Sequence, residues 1–262
     1  MGYNQCHRTH GTDSRTRAQP WADRRRVETA LANAAELGPY FALHRDATRI
    51  PLPPQQMYQR RRLQSLLSDV AEDIGTDEGR VAASTLQYGF AARCWSVVLG
   101  VWHHAGLLID TRELELVITA PGSIALAMGD LRAWDCASVS VDEAAALIAD
   151  AVIAHPLGSL HTALHRVVRI ADGLLWGNAA SALVSAPQIV TEKRPNVRLT
   201  AVTAAILSRS PLANRLAITA NSEVRRRSCC LWYRTRHQDN CADCPLTGRA
   251  TIRRRTNTAP DH

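Results

Sequence analysis

The stretch STLQYGFAARCWSVVLGVWHHA, residues 84–105, carries a single charged side chain, Arg93, and no proline. A run of this composition predicts a long helix that is buried on most of its surface. Ser84 is a good N-cap residue, and we expect it to begin the helix. The apolar run over residues 94–109 is too short to cross a membrane and includes two histidines, so it predicts a core helix.

Shorter helices are expected on both sides of this central helix. Their apolar periodicity predicts helices over residues 27–37, 63–74, 141–154, 160–175, 176–185 and 197–207. Ser140 with Glu143 has the spacing of a capping box. In contrast, the segments ELELVIT and SIALAM alternate with a period of two around the turn residues 120–123, which predicts a β-hairpin. The sequence therefore predicts a helix-dominated α+β fold with a short antiparallel sheet and an irregular C-terminal segment.

The positive charge of the chain is confined to its ends. The formal net charge is +7, of which residues 1–26 supply +4 and residues 249–262 supply +3. We expect a disordered basic tail over residues 1–26, a helical body over residues 27–221, a cysteine segment over residues 222–248 and a basic tail over residues 249–262. A neutral body argues against a nucleic-acid partner. The first tail lacks the apolar core of a secretory signal, so we expect a cytoplasmic protein.

Four of the seven cysteines lie in the segment RRRSCCLWYRTRHQDNCADCPL, residues 225–246. They are Cys229, Cys230, Cys241 and Cys244. Their polar neighbours fit core packing poorly, and a disulfide between adjacent cysteines is strained and disfavoured in a reducing compartment. Four thiolates suit either a tetrahedral zinc ion or an iron–sulfur cluster. The remaining cysteines, Cys6, Cys94 and Cys136, are isolated, and we expect ordinary free thiols there.

The adjacent pair Cys229–Cys230 distinguishes the two kinds of metal site only in part. Structural zinc is normally held by two knuckles of the C-x₂₋₄-C type, whereas neighbouring side chains diverge and chelate one small ion poorly. A [2Fe–2S] cluster is wider, and each of its two irons takes two thiolates. Pro245, directly after the last cysteine, matches the Cys-Pro ending of some ferredoxin ligand runs.

The pattern C-C-x₁₀-C-x₂-C resembles the C-terminal [2Fe–2S] motif of the FhuF-type siderophore-iron reductases. The flanking residues RRSCC, LWYR and CPL are similar to the pattern of that family, and so is LLWGNAASAL, residues 174–183. The resemblance implies that Cys229, Cys230, Cys241 and Cys244 are the ligands of a [2Fe–2S] cluster. It also implies an oxidoreductase that releases iron from ferric siderophores by one-electron reduction.

The same resemblance implies a substrate pocket and partners. We expect Trp176 and Asn178 in the pocket wall, and ferric siderophores of the hydroxamate type as substrates. The sequence has no glycine-rich nucleotide loop, so we expect electrons to come from an external donor protein. The arginines Arg225, Arg226 and Arg227 stand before the cysteines and are suited to stabilise an anionic cluster or attract an acidic donor. Peripheral contact with a membrane is compatible with the basic ends.

Two other functions fit the residues. One is a zinc-stapled module that binds nucleic acid or protein, and the other is an iron–sulfur sensor without reductase activity. A metal site at His161 and His165, four residues apart, lacks the glutamate of the H-E-x-x-H pattern. We expect these histidines at the surface or at a helix end.

Overall fold

The computed structural model describes residues 19–44, 51–193, 196–219 and 223–247. The α-helices in these residues are α1 (Arg24–Ala35), α2 (Pro54–Met57), α3 (Arg60–Ile74), α4 (Gly79–Ala105), α5 (Val141–Val152), α6 (Gly158–His165), α7 (Asp172–Lys193) and α8 (Val197–Leu207). The strands are β1 (Leu107–Ile109), β2 (Leu114–Ala120), β3 (Ser123–Met128), β4 (Ala133–Asp135), β5 (Leu216–Ile218) and β6 (Val224–Arg226). They form two-stranded antiparallel sheets that pair β1 with β4, β2 with β3 and β5 with β6. The predicted helix-dominated α+β fold is confirmed.

Helix α4 is the centre of the core because it is apolar on all sides. It packs against α7, α1 and α3. Trp95 is fully buried, and its indole Nε1 donates to the carbonyl oxygen of Ala179 in α7 at 3.0 Å. The helix begins at Gly79 rather than at Ser84, so the predicted N-cap is wrong. Ser84 lies inside the helix and is buried, a position that needs a polar partner.

The predicted hairpin and two of the predicted helix starts are confirmed. Strands β2 and β3 pair from Leu114 with Met128 to the turn beside Gly122, whose φ of 71° is left-handed. The Ser140 hydroxyl accepts a hydrogen bond from the Glu143 amide at 3.2 Å, as a capping box predicts. Helix α8 has the predicted bounds, and Asn196 caps its start. These features depend on residues close together in sequence.

The predicted helix over residues 160–175 is interrupted at residues 166–171. Helix α6 ends at His165 and α7 begins at Asp172. The link between them contains the β-branched residues Val167, Val168 and Ile170, which have lower helix propensity. His165 Nε2 lies 2.8 Å from Asp172 Oδ1, so the two helix ends are joined across the link.

The predicted disordered tail extends too far. Residues 1–18 lie outside the described residues, as do Cys6 and the predicted basic tail over residues 249–262. The end of the N-terminal tail, however, is part of the fold, because α1 already begins at Arg24. Trp21 pairs with Trp134 of β4 in an antiparallel bridge, and the two rings stack with their centroids 4.7 Å apart. The contact of Trp21 with Trp134 therefore orders the end of a segment whose polar composition predicted disorder.

By length and composition alone, the continuous helical run Val141–His165 is long and apolar enough to cross a membrane. It contains α5, a π-helical turn and α6, and 67% of its most apolar window is buried inside the protein. Burial of this kind also characterises the core helix of a soluble domain. The run 94–109, by contrast, is split between α4 and β1.

The C-terminal end of α3 is one of the points where the cysteine segment meets the body. Gly75 ends α3 in the left-handed conformation, with φ of 64°. The amide of Arg236 donates to the carbonyl oxygen of Ile74 at 3.0 Å. A β-carbon on Gly75 would lie 2.8 Å from Cβ of Arg236, which is closer than van der Waals contact allows. Glycine is therefore required here by conformation and by space.

We predict that Gly75→Ala destabilises the protein. An alanine in the left-handed region costs about 1–2 kcal/mol before the contact with Arg236 is counted. In a protein of this size each kcal/mol lowers the melting temperature by about 2–4 °C. The matched control is Gly89→Ala in the interior of α4, where the new β-carbon would meet only Arg93 Nη1 at 3.6 Å. The control should keep or raise the melting temperature, and equal losses in both variants would contradict the prediction.

Candidate metal centre

The cysteine segment is attached to the helical body before and after its first cysteine pair. It is entered through β5 and β6, so the predicted boundary after residue 221 falls inside this hairpin. The Ser228 hydroxyl donates to the carbonyl oxygen of Gly173 at the start of α7, at 2.9 Å. Beyond the pair, Arg234 Nη1 lies 2.7 Å from Glu78 Oε1, beside the start of α4. The segment thus lies across the ends of three helices, α3, α4 and α7.

The four cysteines of the segment lie close together. Cys230 Sγ and Cys241 Sγ are 3.3 Å apart, and the amide of Cys244 donates to the carbonyl oxygen of Cys241 at 3.1 Å. Cys244 is buried, whereas the other three are partly exposed. Cys229 interacts electrostatically with both Cys230 and Cys244. The structure therefore places the sulfurs of Cys230 and Cys241 in contact, with Cys229 and Cys244 near them in the same segment.

Backbone amides point at the sulfur atoms of this group. The amide of Leu231 donates to Cys229 Sγ at 3.3 Å, and the amide of Leu246 donates to Cys244 Sγ at 3.4 Å. The amide of Trp232 likewise donates a hydrogen bond to the sulfur of Cys230. Leu231 has a left-handed φ of 68°, which turns the backbone directly after the cysteine pair. Hydrogen bonds of this kind stabilise thiolates and are one of the factors that set the potential of iron–sulfur clusters.

One thiol of the group is acidic. The hydrogen bond between Cys241 and Cys230 lowers the pKa of Cys230 to about 6 and raises the pKa of Cys241 above its usual value. Burial raises the pKa of Cys229. A thiolate is the form that binds metal, and the contact between Cys230 and Cys241 favours that form at one of the two sulfurs.

The other two described cysteines are in the core, as expected. Cys94 in α4 and Cys136 after β4 are buried. Burial raises the pKa of both thiols, that of Cys136 to about 11. Burial therefore favours the protonated thiol at both positions.

A buried polar network connects the cysteine segment to the two central helices. Arg226 Nε lies 2.7 Å from both carboxylate oxygens of Asp243, and Arg226 Nη1 donates to Asn178 Oδ1. Asn178 Nδ2 donates to the carbonyl oxygen and to the hydroxyl of Ser84, each at 3.0 Å. The Ser84 hydroxyl then donates to the carbonyl oxygen of Cys230 at 2.7 Å. We call these four residues, Arg226, Asp243, Asn178 and Ser84, the arginine network.

The arginine network gives Asn178 a role other than the predicted one. Asn178 is buried and all its polar atoms are engaged with Ser84 and Arg226. Trp176 packs against His161, with ring centroids 4.2 Å apart. Between them, Gly177 allows close approach of the chain, because a β-carbon there would lie 2.2 Å from the Ser228 hydroxyl oxygen. Gly177 and Asn178 therefore contact the cysteine segment, whereas Trp176 packs within the helical body.

His161 is also not where we expected it. It is buried rather than at the surface, and its Nε2 lies 3.0 Å from Gln87 Nε2. Burial lowers the pKa of His161 to about 4, so the ring is neutral at pH 7. His165 is at a helix end, as expected, and contacts Asp172. The two histidines therefore have different partners.

A cavity of about 660 Å³ adjoins the cysteines, and we call it the cysteine cavity. Cys230 and Cys241 line it together with residues of α4 and α7. Its aromatic lining residues are Tyr40, Tyr88 and Trp232. Neither Trp176 nor Asn178 lines it, and their place in the wall of a substrate pocket stays a prediction.

The charged residues that line the cysteine cavity are paired. Asp243 is paired with Arg226, and Glu223 lies 3.0 Å from Arg225 Nη2 at the rim. The guanidinium of Arg226 also lies over the ring of Tyr88, 5.0 Å from its centroid. Among the described residues, each carboxylate of the lining thus has an arginine partner, and the thiolates supply the unbalanced negative charge of the cavity.

The donor atoms fit an iron–sulfur cluster. Soft thiolates are the ligands that such clusters take, and the site supplies four, with three amide groups directed at the sulfurs. Within the described ranges, no three histidine, cysteine or acidic side chains converge so that they could hold one metal ion. The fit therefore rests on ligand chemistry and on the amide groups.

Residues 226–246 match the family model described as the FhuF 2Fe-2S C-terminal domain. The match begins at Arg226 and includes all four cysteines of the segment, which have the C-C-x₁₀-C-x₂-C spacing. It leaves the helical body, including the segment around Trp176, outside. No curated protein matches the chain. The match indicates that the cofactor of this segment is a [2Fe–2S] cluster.

We predict that the four cysteines of the segment hold this cluster. Cys229→Ser, Cys230→Ser, Cys241→Ser and Cys244→Ser should each lose most of the iron and sulfide, because a hard hydroxyl replaces a soft thiolate. The measurement is iron and acid-labile sulfide per chain, with the visible spectrum, after anaerobic purification. Cys94→Ala and Cys136→Ala are the controls and should keep the cluster. A colourless wild-type protein with one zinc and no sulfide would contradict the assignment.

Proposed function

We propose that the protein is an oxidoreductase that reduces ferric siderophores, and that the chelate binds in the cysteine cavity. The observation that carries the proposal is the position of Cys230 and Cys241, which line this cavity. A chelate in the cavity is therefore in contact with the ligand sulfurs of the electron donor. The family match supports the cofactor, and the cavity supports the place of the substrate.

The chemistry requires little from the protein beyond position. Siderophores hold Fe³⁺ through hard oxygen donors, which bind Fe²⁺ much more weakly. The cluster, when bound, supplies single electrons at a potential set by burial and by hydrogen bonds to its sulfurs. The chain positions the four thiols, places Tyr88 and Trp232 against the chelate, and holds Arg226 and Asp243 as a pair. No residue has to transfer a proton.

The size and lining of the cysteine cavity suit an organic chelate. Its volume lies inside the range of about 300–1,000 Å³ that is typical of small-molecule sites. The lining offers aromatic faces and the polar side chains of Ser181, Ser185 and Gln188. Such a surface can contact the apolar backbone of a chelate and hydrogen-bond its carbonyl oxygens.

The charge of the cavity favours hydroxamate siderophores. Among the residues that the structure describes, Arg226 is the one basic residue of the lining, and it is already bound to Asp243 and Asn178. The cluster with its four thiolates adds negative charge. Ferric tris-catecholates are strongly anionic, so they would be repelled, whereas ferric hydroxamate complexes are neutral or cationic.

The electrons are proposed to come from an external donor protein, and the protein is proposed to act in the cytoplasm. Arg227 is exposed and lies two residues before the first cysteine, so it is suited to contact an acidic donor. Contact with a membrane surface through the basic ends of the chain stays a prediction.

We predict that the prereduced protein is reoxidised by a ferric hydroxamate siderophore at one electron per iron. The experiment mixes dithionite-reduced, desalted protein with the chelate in a stopped-flow instrument, and a ferrous trap collects the product. A ferric tris-catecholate should react more slowly, and NADPH alone should not reduce the cluster again. Full cluster loading without reoxidation by any ferric siderophore would favour the sensor function instead.

We predict that filling the cysteine cavity slows this reaction without affecting the cluster. Val184 in α7 lines the cavity, and Val184→Trp should reduce the reoxidation rate at subsaturating chelate at least about tenfold, equivalent to about 1.4 kcal/mol. The matched control is Ile189→Trp, because Ile189 is on the same helix but does not line the cavity. Iron content and visible spectrum should be unchanged in both variants. Equal rates in both variants would place the substrate elsewhere.

A further inference from the structure

Arg226 differs from its neighbours in its burial and in its contacts. Its side chain is 4% exposed, whereas that of Arg225 is 28% exposed and Arg227 is an exposed residue. Burial alone would lower the pKa of Arg226, but Asp243 and Cys230 outweigh burial, and the pKa is raised. The charge is therefore held inside the protein beside the cysteines.

The contacts of Arg226 join the two halves of the cysteine segment. Its amide donates to the carbonyl oxygen of Asp243 at 2.9 Å, and its Nε contacts both carboxylate oxygens of the same residue. Arg226 lies three residues before Cys229, and Asp243 lies between Cys241 and Cys244. The pair therefore fixes the C-x-x-C turn against the chain that leads into the C-C pair.

The guanidinium also acts on the sulfur atoms through its charge. Arg226 lines the cysteine cavity together with Cys230 and Cys241, so its positive charge lies beside the ligand sulfurs. Asp243 lines the same cavity and carries the opposite charge beside the same sulfurs. The two charges of one ion pair thus have opposite effects on the same sulfurs.

We propose that Arg226 and Asp243 are positioning residues that set the reduction potential of the cluster, with Arg226 raising it and Asp243 lowering it. The inference rests on the assigned cluster and not on the siderophore activity. Reduction adds negative charge to the site, so a nearby positive charge favours the reduced state and a nearby negative charge disfavours it. Burial keeps this effect from being screened by salt.

The test is a redox titration of the loaded protein, followed by visible absorbance and by EPR. Arg226→Gln should lower the midpoint potential and Asp243→Asn should raise it. We expect each to change the equilibrium constant for reduction at least about tenfold, which is about 59 mV for one electron. The double variant Arg226→Gln/Asp243→Asn should lie between the two single variants. Arg227→Gln, the exposed neighbour, is the control and should leave the potential unchanged.

The opposite signs separate this proposal from a purely structural role. A structural role alone predicts that both single variants loosen the site in the same way, with cluster loss and shifts of one sign. Midpoint potentials that are equal to the wild type, or that shift in the same direction, would overturn the proposal. If Arg226→Gln does not retain the cluster, Arg226→Lys and Asp243→Asn decide the matter. Arg226→Lys keeps the charge and should titrate near the wild type, while Asp243→Asn must still lie higher.

The readout also distinguishes this inference from the proposed function. Opposite shifts in a protein that is not reoxidised by ferric siderophores would support the role of the ion pair and refute the reductase. Unchanged potentials in a protein that is reoxidised normally would refute the role of the ion pair and support the reductase.

Discussion

The buried ion pair between Arg226 and Asp243 is the interaction on which the cysteine segment depends. The segment between these residues, from Arg227 to Ala242, has little regular backbone hydrogen bonding apart from one 3₁₀ turn, so it cannot fix its own shape. A buried charge is costly unless it is paired and fully hydrogen-bonded, and removing one partner of such a pair typically costs about 3–5 kcal/mol. Arg226 satisfies this condition with Asp243, Asn178 and the ring of Tyr88. The penalty for separating the pair therefore holds the two cysteine-bearing halves together.

The same pair explains polar residues that are otherwise out of place in the core. Ser84 is buried within α4 and Asn178 within α7, two helices that are largely apolar where they meet. Buried polar side chains without partners destabilise a helix interface. Here Asn178 accepts from Arg226 and donates to Ser84, and Ser84 donates to the carbonyl oxygen of Cys230. Polar positions that break a hydrophobic pattern are thus used to fix the cysteines.

What the sequence could predict depends on the range of the interactions. The β2–β3 hairpin, the Ser140 cap and the bounds of α8 follow from neighbouring residues, and the cysteine spacing identified the candidate centre. Ser84 and Trp21 were misassigned, and the contacts of Asn178 were missed, because their partners are distant in sequence: Ser84 contacts Cys230, 146 residues away, and Asn178 contacts Arg226, 48 residues away. Periodicity carries no information about such pairs. The opposite charges of Arg226 and Asp243 were a sequence signal for an ion pair in this segment. The sequence alone, however, does not show which of three adjacent arginines is buried.

Three residues of the arginine network, Ser84, Arg226 and Asp243, also line the cysteine cavity. One surface of the ion pair therefore faces the space in which the proposed substrate binds, while the other faces the protein. A chelate that fills this space removes water from the pair and lowers the local dielectric constant, which strengthens every charge interaction there. In the proposed complex, substrate binding and the electrostatic environment of the thiolates are coupled through one pair of side chains. Ser84, Arg226 and Asp243 thus both hold the cysteine segment and contact the cavity.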